Sequence, residues 1–396
     1  MEKATHKRSR EHNTRLALRT IYSKGPISRA EVARITDLTP PTVSDVVSNL
    51  ISRDLVSEVG FAPSSSGRRG ILLKISEDSH HLIGIDLSRQ DFRGAIANLR
   101  GEIRHRENLP LHNLDGDAAL ELVYDLINAL VEKSTSPLLG IGIGAPGLVD
   151  SHKGVLQQSV NLNWRYIQFR NLLESRFNLP VYMANDCQVA ALAVHTFYNQ
   201  EDAELPLVVI NAGWGVGSGI ILKNQLLHGH PVGAGEIGHV KVVENGELCA
   251  CGNSGCLETV ASSRAIIKRV RDRIEDNPDS SLRKMIPDPD QVSIESAILA
   301  LEAGNEDVRQ MVYEAGIALG MAAANLVGVL GRCRILLRGE VSLFGQILID
   351  TIWEELEKRT LPSLARVSTL DILDVGPDIV IQGASALILQ NELGVL

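Results

Sequence analysis

Hydrophobic positions in the first part of the chain follow helical spacing in three short segments and then alternate in two extended ones. The predicted elements are a helix in residues 12–23 that Gly25-Pro26 terminates, a helix opened by a Ser28/Glu31 capping box, a helix capped by Thr39 with Pro40 at its first position, and strands at residues 55–59 and 71–75. Helices separated by tight turns and followed by a β-hairpin are typical of a winged helix-turn-helix. The sequence therefore predicts this motif in residues 1–77.

Beyond residue 77 the pattern changes to an alternation of apolar strands and amphipathic helices. Strands are predicted at residues 81–87, 92–99, 102–108, 138–144, 181–184, 207–211, 216–222, 334–337 and after 370, and helices in residues 117–133 and 185–198, from residues 262, 294 and 307, and at the carboxyl end. The recurring order predicts an α/β fold with two lobes, residues 78–198 and 199–396, and a cleft between them. The uncharged residues 315–331 are fewer than the ~20 that span a membrane, so we expect a buried helix there.

Charge is divided unequally along the chain. Residues 1–75 contain 13 Lys and Arg against 7 Asp and Glu, whereas the whole chain has a net charge of −9. A basic head on an acidic body indicates a polyanion as the partner of the head alone, and a solvated basic face without a partner is the alternative. Five cysteines, three of them clustered, fit a reducing cytoplasm. The first residues lack the apolar core of a signal peptide, so we expect a cytoplasmic protein that is not an integral membrane protein.

The third predicted helix is the candidate reading helix of the motif. Its polar side offers short groups that can approach base edges and phosphates: Thr42, Ser44, Asp45, Ser48 and Asn49. Arg68 and Arg69 lie on the Gly/Ser-rich wing loop, where guanidinium groups can enter a minor groove or contact phosphates. A small helical module for protein contacts is the alternative, but caps, wing and charge together favour double-stranded DNA as the partner.

Four metal-ligand side chains are concentrated in residues 239–256. They are His239, Cys249, Cys251 and Cys256. Three thiolates and one imidazole suit Zn²⁺, which takes four such ligands tetrahedrally, and with all four places filled by protein the site should be structural. Buried free cysteines are the alternative, but three of five cysteines within eight residues favour one zinc ion per chain.

Three motifs of the chain together resemble the ROK family, named for repressors, open reading frames and kinases. GEIGH at residues 235–239 and CACGNSGCLE at residues 249–258 are similar to the family signature and its zinc loop, and GIGAPGLVD at residues 142–150 to its inner strand and turn. With the winged motif added, the chain is most similar to the repressor branch that includes the Mlc and NagC regulators. The resemblance implies an actin-like, hexokinase-like ATPase fold and a homodimer or tetramer.

The nucleotide positions depart from the family's kinases. Those kinases bind ATP with Asp-x-Gly-Gly-Thr and Gly-Thr-Gly-x-Gly-Gly-Gly turns, because glycine backbones come close to phosphate oxygens. Here the first turn reads Asp-Leu-Ser-Arg-Gln from Asp86, so the Gly-Gly-Thr is replaced and the bulky Arg89 and Gln90 would occupy the space that a phosphate needs. The second turn has Trp214 where the family has a hydroxyl. At a third position, where the kinases often have Gly-Gly, the chain has Arg-Gly-Glu at residues 338–340. We therefore expect no ATP turnover and no enzyme.

The sugar positions are retained. By the resemblance, the sugar-binding residues are Asn185, Asp186, Glu236, His239 and Glu258, with Asp186 a vestigial catalytic base. Carboxylates and an imidazole suit sugar hydroxyls because they accept, and sometimes donate, paired hydrogen bonds. His239 can serve both metal and sugar, one ring nitrogen for each. From the residues alone, a helix N-cap for Asp186 and a surface carboxylate for Glu236 remain alternatives.

The function that this resemblance implies is a sugar-responsive, DNA-binding transcriptional repressor of carbohydrate uptake and metabolism genes. Its effector would be a sugar, a sugar phosphate or a glucose transporter subunit of the phosphotransferase system. The alternatives are a sugar kinase with an attached DNA-binding domain and a docking protein whose zinc loop forms a partner surface.

Overall fold

A computed structural model of the chain describes residues 2–61, 70–160, 162–198, 205–230 and 232–395, with the side chains from residue 8 onward. The chain divides into two compact units. The first unit comprises Met1–Tyr198 and Asp378–Leu396, and the second comprises Asn199–Pro377.

The head of the first unit is the expected winged helix-turn-helix. Its elements are α1 (Glu2–Lys24), β1 (Ile27–Ser28), α2 (Arg29–Thr36), α3 (Pro40–Ser52), β2 (Val56–Phe61) and β3 (Ile71–Ile75), with sheet order β1-β3-β2. The Ser28/Glu31 capping box is present at the start of α2, and the Thr39 hydroxyl caps α3 by accepting from the Thr42 N–H. The local signals of the sequence therefore place these helices correctly. Within α2, Val32, Ala33 and Thr36 are buried, whereas Ala30 and Ile35 are exposed.

The remainder of the first unit is a mixed sheet with helices on its faces. Its elements are β4 (His81–Leu87), β5 (Asp91–Ala97), β6 (Ile103–Pro110), α4 (Gly116–Lys133), β7 (Leu138–Ala145), β8 (Leu148–Asp150), β9 (Val155–Ser159), β10 (Trp164–Ile167), α5 (Phe169–Phe177), β11 (Val181–Asn185) and α6 (Asp186–Ala193), which a π-helical turn (Val194–Tyr198) extends. The five-stranded sheet has the order β11-β7-β4-β5-β6, and β10-β9-β8 form a small second sheet that the sequence pattern did not predict.

The second unit is built around another five-stranded sheet, of order β14-β13-β12-β15-β16. Its elements are β12 (Leu207–Ala212), β13 (Val216–Leu222), β14 (Gln225–Leu226), α7 (Glu258–Ala261), α8 (Ser263–Asp276), α9 (Ser281–Met285), α10 (Ile294–Glu302), α11 (Glu306–Leu330), β15 (Arg334–Arg338), α12 (Gln346–Arg359), α13 (Pro362–Ala365) and β16 (Thr369–Ile372).

Among the described helices only α11 has the length and composition of a membrane span. Its many buried residues and its close packing on α12, at Gly316 and Gly320, confirm the predicted internal helix.

The last helix, α14 (Ile379–Ile388), belongs to the first unit, although the lobe boundaries drawn from the sequence place it in the second. It lies against the first sheet so closely that a Cβ on Gly142 of β7 would be 1.9 Å from the Ala384 carbonyl oxygen. Because strand glycines leave no side chain in the way, the helix backbone can approach the strand backbone directly. The carboxyl end of the chain thus completes the first unit.

The head and this sheet share one hydrophobic core. Apolar side chains of α1, α2 and α3 are continuous with Leu82, Ala97, Leu389 and Leu393. Arg100 adds polar contacts: its guanidinium lies 4.4 Å from the Tyr22 ring centroid and donates to the Tyr22 carbonyl oxygen at 2.7 Å. Burial raises the pKa of Tyr22 to about 12. The head is therefore packed on the rest of the first unit through this shared core.

Candidate metal centre and nucleic-acid interface

Helix α3 presents its polar side to solvent, as the reading-helix prediction requires. Ser44, Asp45 and Ser48 are exposed, whereas Thr42 and Asn49 are half-buried. Val43, Val46, Val47 and Leu50 hold the opposite side in the core of the head. An amphipathic helix of this kind is fixed by its apolar face, so its polar face stays available for a ligand.

The structure adds residues of α1 to this surface. A groove of about 710 Å³ lies between α1 and α3. Its lining residues are Ser9, Arg10 and Asn13 of α1 and Thr42, Asp45, Val46, Ser48, Asn49 and Ser52 of α3. The three α1 residues were not predicted as site residues. The one sequence signal for them is the helical spacing by which Arg10 and Asn13 continue the row of buried residues in α1. Arg68 and Arg69 of the wing lie outside the described residues.

The predicted metal ligands come together in the second unit. A 3-10 turn, Ile237–His239, carries the histidine, and isolated bridges Lys241↔Cys256 and Leu248↔Ser254 fold the cysteine loop back on it. At Gly255 φ is +73° and a Cβ would lie 1.8 Å from the Val243 carbonyl oxygen, so this close approach needs glycine. The backbone of the loop thus determines where the thiols converge.

The geometry of the cluster fits a tetrahedral ion. One ligand atom from each of His239, Cys249, Cys251 and Cys256 lies within 4.8 Å of the others. Cys249 Sγ is 3.6 Å from His239 Nδ1, and Cys251 Sγ is 3.7 Å from Cys256 Sγ. A tetrahedral ion with metal–sulfur bonds of about 2.3 Å separates its ligands by about 3.8 Å. The cluster could therefore hold a metal ion.

The thiols of the cluster differ in environment. Burial raises the pKa of Cys249 and raises that of Cys256 to about 12, whereas the backbone N–H of Asn253 lowers the pKa of the exposed Cys251. A coordinated cation opposes the effect of burial because it stabilises thiolates directly. The donor set is thus suited to a cation that can draw two buried thiols into their ionised form.

The second ring nitrogen of His239 points toward a carboxylate. Its Nε2 lies 4.0 Å from Glu236 Oε2, on the side away from Nδ1 and Cys249. About a third of each of these two side chains is exposed. One imidazole can therefore serve the metal cluster with one nitrogen and the Glu236 side with the other, which is the arrangement that metal-bound histidines commonly adopt.

Glu258 is the first residue of α7, and its side chain contacts the turn between β12 and β13. Its Oε2 accepts from the Val216 N–H at 3.1 Å, and its Oε1 accepts from Arg264 at 2.9 Å. A Cβ on Gly215 would be 2.6 Å from the same Oε2. This carboxylate thus joins the start of β13 to the start of α7.

Side-chain contacts close the turn of this chain that corresponds to the first phosphate turn of the kinases. Asp86 is buried and pairs with the Arg93 guanidinium. Ser88 Oγ donates to the Asp91 backbone carbonyl, and it lies 2.7 Å from both that oxygen and a carboxylate oxygen of Asp91. The turn between β4 and β5 is thus stabilised by its own side chains and contains no glycine pair.

Asn185 and Asp186 lie in the first unit, at the junction of β11 and α6. Asn185 is the N-cap: its Oδ1 accepts from the Cys187 N–H at 2.9 Å, and its Nδ2 donates to the Gly147 carbonyl oxygen at 3.1 Å. Asp186 is the first helical residue, and its Oδ1 lies 2.9 Å from the Cys187 nitrogen. Glu236, His239 and Glu258 belong to the second unit, so the sugar-binding set remains a prediction.

A winged helix-turn-helix head on an α/β body with a Cys₃His cluster defines a class of DNA-binding regulator fold with a potential metal centre. The model of the ROK family matches residues 82–391, and the chain belongs to the ROK family. The family resemblance and the fold predicted from the motifs are thereby confirmed.

Similar proteins extend the comparison to the head. The chain is 29% identical to a xylose repressor from Caldicellulosiruptor bescii over 393 residues, covering 98% of both chains. It is 29% identical to the DNA-binding transcriptional dual regulator NagC of Escherichia coli, covering 86% of this chain and 83% of NagC. It is 31% identical to a glucokinase from Halalkalibacterium halodurans, covering 78% of this chain and 95% of the glucokinase.

Among solved structures, the chain is similar to a ROK family transcriptional regulator described as a homolog of the Escherichia coli Mlc protein. The TM-score is 0.86 at 27% identity, and the match covers 98% of this chain and 97% of that one. The head and both units are therefore represented together in a solved regulator.

Proposed function

We propose that this protein is a DNA-binding transcriptional repressor that responds to a sugar and regulates genes of carbohydrate uptake or metabolism. The observation that carries the proposal is the winged head with its polar reading face, in a chain whose full-length relatives include a xylose repressor. The matched glucokinase covers only 78% of the chain, which leaves room for a separate head. The charge of residues 1–75 supports a polyanionic partner.

The body acts as a sensor rather than as an enzyme. Its first phosphate turn is closed by the Asp86–Arg93 pair, and its second has Trp214 where the family's kinases have a hydroxyl. Bulky side chains and an indole take up the space that glycines leave open for phosphate oxygens. These contacts support the absence of ATP turnover.

The metal of the Cys₃His cluster is a structural Zn²⁺, one per chain. The ligand separations of 3.6 and 3.7 Å and the three sulfur donors support zinc over oxygen-preferring cations. When bound, the ion supplies charge that favours thiolates and holds the loop between Val240 and Leu257 to His239.

The effector is recognised through hydroxyl groups. Glu236, His239 and Glu258 of the second unit, and Asn185 and Asp186 of the first, carry the acceptors and donors that a sugar requires. Xylose, glucose and N-acetylglucosamine are the first candidates because of the relatives' names. A sugar phosphate or a phosphotransferase-system transporter subunit are the alternatives. A ligand releases DNA only if it binds one state of the protein better than the other.

In solution we expect a homodimer or tetramer in the cytoplasm, bound to a near-palindromic operator, because a two-fold protein matches a two-fold site.

The deciding experiment is in vitro selection of duplexes from a random pool, followed by mobility shifts with each candidate effector. We expect a salt-sensitive, sequence-specific complex that one sugar or sugar phosphate weakens at least tenfold. If the selection yields no preferred sequence at low or moderate salt, the proposal is wrong. Binding of a transporter subunit in place of any sugar would instead assign the sensing role to protein docking.

A sugar kinase with an attached head is the second candidate, because the chain retains Asp186 at the position of the family's base. Coupled ADP release with glucose, N-acetylglucosamine and N-acetylmannosamine tests it. Turnover that disappears in Asp186→Asn would establish the kinase, and we expect no turnover in either protein.

A further inference from the structure

Helix α1 is longer than the core of the head requires. Its buried residues, Ala17, Leu18, Thr20, Ile21 and Tyr22, all lie in its second half. Residues 8–15 are all polar and none of them is buried. Residues 8–12 are exposed. Helices in proteins owe most of their stability to an apolar face packed on a core. Residues 8–14 of α1 therefore continue past the core with no buried side chain.

Arg10 and Asn13 lie on the same side of the helix as the buried stripe. Asn13 precedes Ala17 by one turn, and Arg10 precedes Ile21 by three turns. The face that contacts the core in the second half thus becomes, in the first half, the polar wall of the groove opposite α3. A polar face in this position is suited to a hydrated or charged ligand rather than to another protein core.

The charges of the groove are divided between its two walls. Helix α3 contains no Lys or Arg, and Asp45 is its one charged residue. On α1, Arg8 and Arg10 are exposed, and in the described part of the chain no carboxylate pairs with either. Since phosphate contacts supply most of the affinity for DNA, a reading helix without cations needs them from a neighbouring element.

We propose that the groove between α1 and α3 seats the sugar–phosphate backbone of one DNA strand. Arg10 and Asn13 contact phosphates, while Thr42, Asp45 and Asn49 reach the base edges. Asp45 accepts from a cytosine amino group, and Asn49 pairs with an adenine. This inference rests on the proposed function and adds α1 to its DNA-contacting elements.

The test compares Arg10→Ala with Lys24→Ala, which removes one charge from the exposed far end of the same helix. The probes are a duplex selected by the wild-type protein and a scrambled duplex, titrated at several salt concentrations. For Arg10→Ala we expect about tenfold weaker binding to both duplexes and a salt slope smaller by about 1. Asn13→Ala should weaken both complexes by a smaller factor. Lys24→Ala should change neither affinity nor slope.

Asn49→Ala provides the opposite signature, a loss of preference for the selected duplex with the salt slope unchanged. Unchanged melting temperatures establish that the variants are folded, which is expected because Arg10 and Lys24 are exposed. If wild-type protein selects a sequence but Arg10→Ala binds it with the wild-type affinity and slope, the α1 contact is wrong and the repressor function stands. If wild-type protein selects nothing, the proposed function itself fails.

Discussion

Cys251 is the exposed member of a cluster whose other two thiols, Cys249 and Cys256, are buried. Its exposure allows replacement by serine without opening a cavity, so the consequences of a change there report on coordination rather than on packing. Cys333 is a matched reference in the same unit: it is buried alone, and burial raises its pKa to about 11.

We expect Cys251→Ser to lower the zinc content from about one per chain to a small fraction of that value, because a hydroxyl is a poor ligand for zinc. Atomic emission on purified protein measures it. Because the free energy of metal binding keeps a small site folded, loss of the metal should make hydrogen exchange in residues 240–257 faster. Cys333→Ser should retain the metal. Full zinc content in Cys251→Ser would contradict the four-ligand assignment.

Among the elements, α3 depends on its cap. At the amino end of α3, the Thr39 hydroxyl accepts from the Thr42 N–H and lies 2.9 Å from the Thr42 hydroxyl. Asp45 lies further along the same helix. Thr39→Ala should destabilise the head by about 1 kcal/mol, measured as a lower melting temperature, and should weaken operator binding because the first turn frays. Thr39→Ser keeps the hydroxyl and should behave like wild type. Equal stabilities of the two variants would show that the cap contributes nothing.

Helix α14 depends on glycines where it crosses the first sheet. Gly142→Ala would place a Cβ 1.9 Å from the Ala384 carbonyl oxygen, and backbone cannot move as a side chain can. We expect a loss of at least 1–3 kcal/mol, roughly the cost of overpacking a core, or aggregation on expression. Gly328→Ala on α11 meets open space and should be neutral or stabilise by about 0.5–1 kcal/mol. Thermal unfolding compares them, and a stable Gly142→Ala protein would refute the close packing.

At the scale of the whole molecule, a shared core rather than a free linker joins the head to the rest of the first unit. Arg100 is one polar contact of this junction, since it touches the Tyr22 ring and carbonyl and lies 3.9 Å from a Glu77 carboxylate oxygen. A head fixed in this way can pass a change in the first unit to the DNA-reading surface, because packed elements move together.

Arg100→Ala should therefore loosen the head. We expect faster hydrogen exchange in α1 and in residues 76–80, with zinc content unchanged and the effect of the sugar on operator binding reduced. Arg106→Ala is the control, since its pair with Asp378 is 62% exposed on the arginine side and exposed pairs contribute little. If both variants retain wild-type exchange and wild-type induction, the Arg100 contact is not part of the coupling.

The sequence by itself determined the local structure and the candidate metal ligands. Capping boxes, proline positions and apolar alternation act over a few residues, so they identified α2, α3 and most strands within a residue or two. The Cys₃His cluster was also predictable, because its ligands are close in sequence and a glycine-rich loop can bring them together. The resemblance of three motifs then identified the family.

Only the tertiary structure decided which distant residues meet. The groove between α1 and α3, the Glu258 carboxylate on the Val216 N–H, the Arg93 partner of Asp86 and the place of α14 in the first unit all depend on packing between elements far apart in the chain. No local propensity encodes these contacts, because each is selected by the backbone approach that the surrounding core allows.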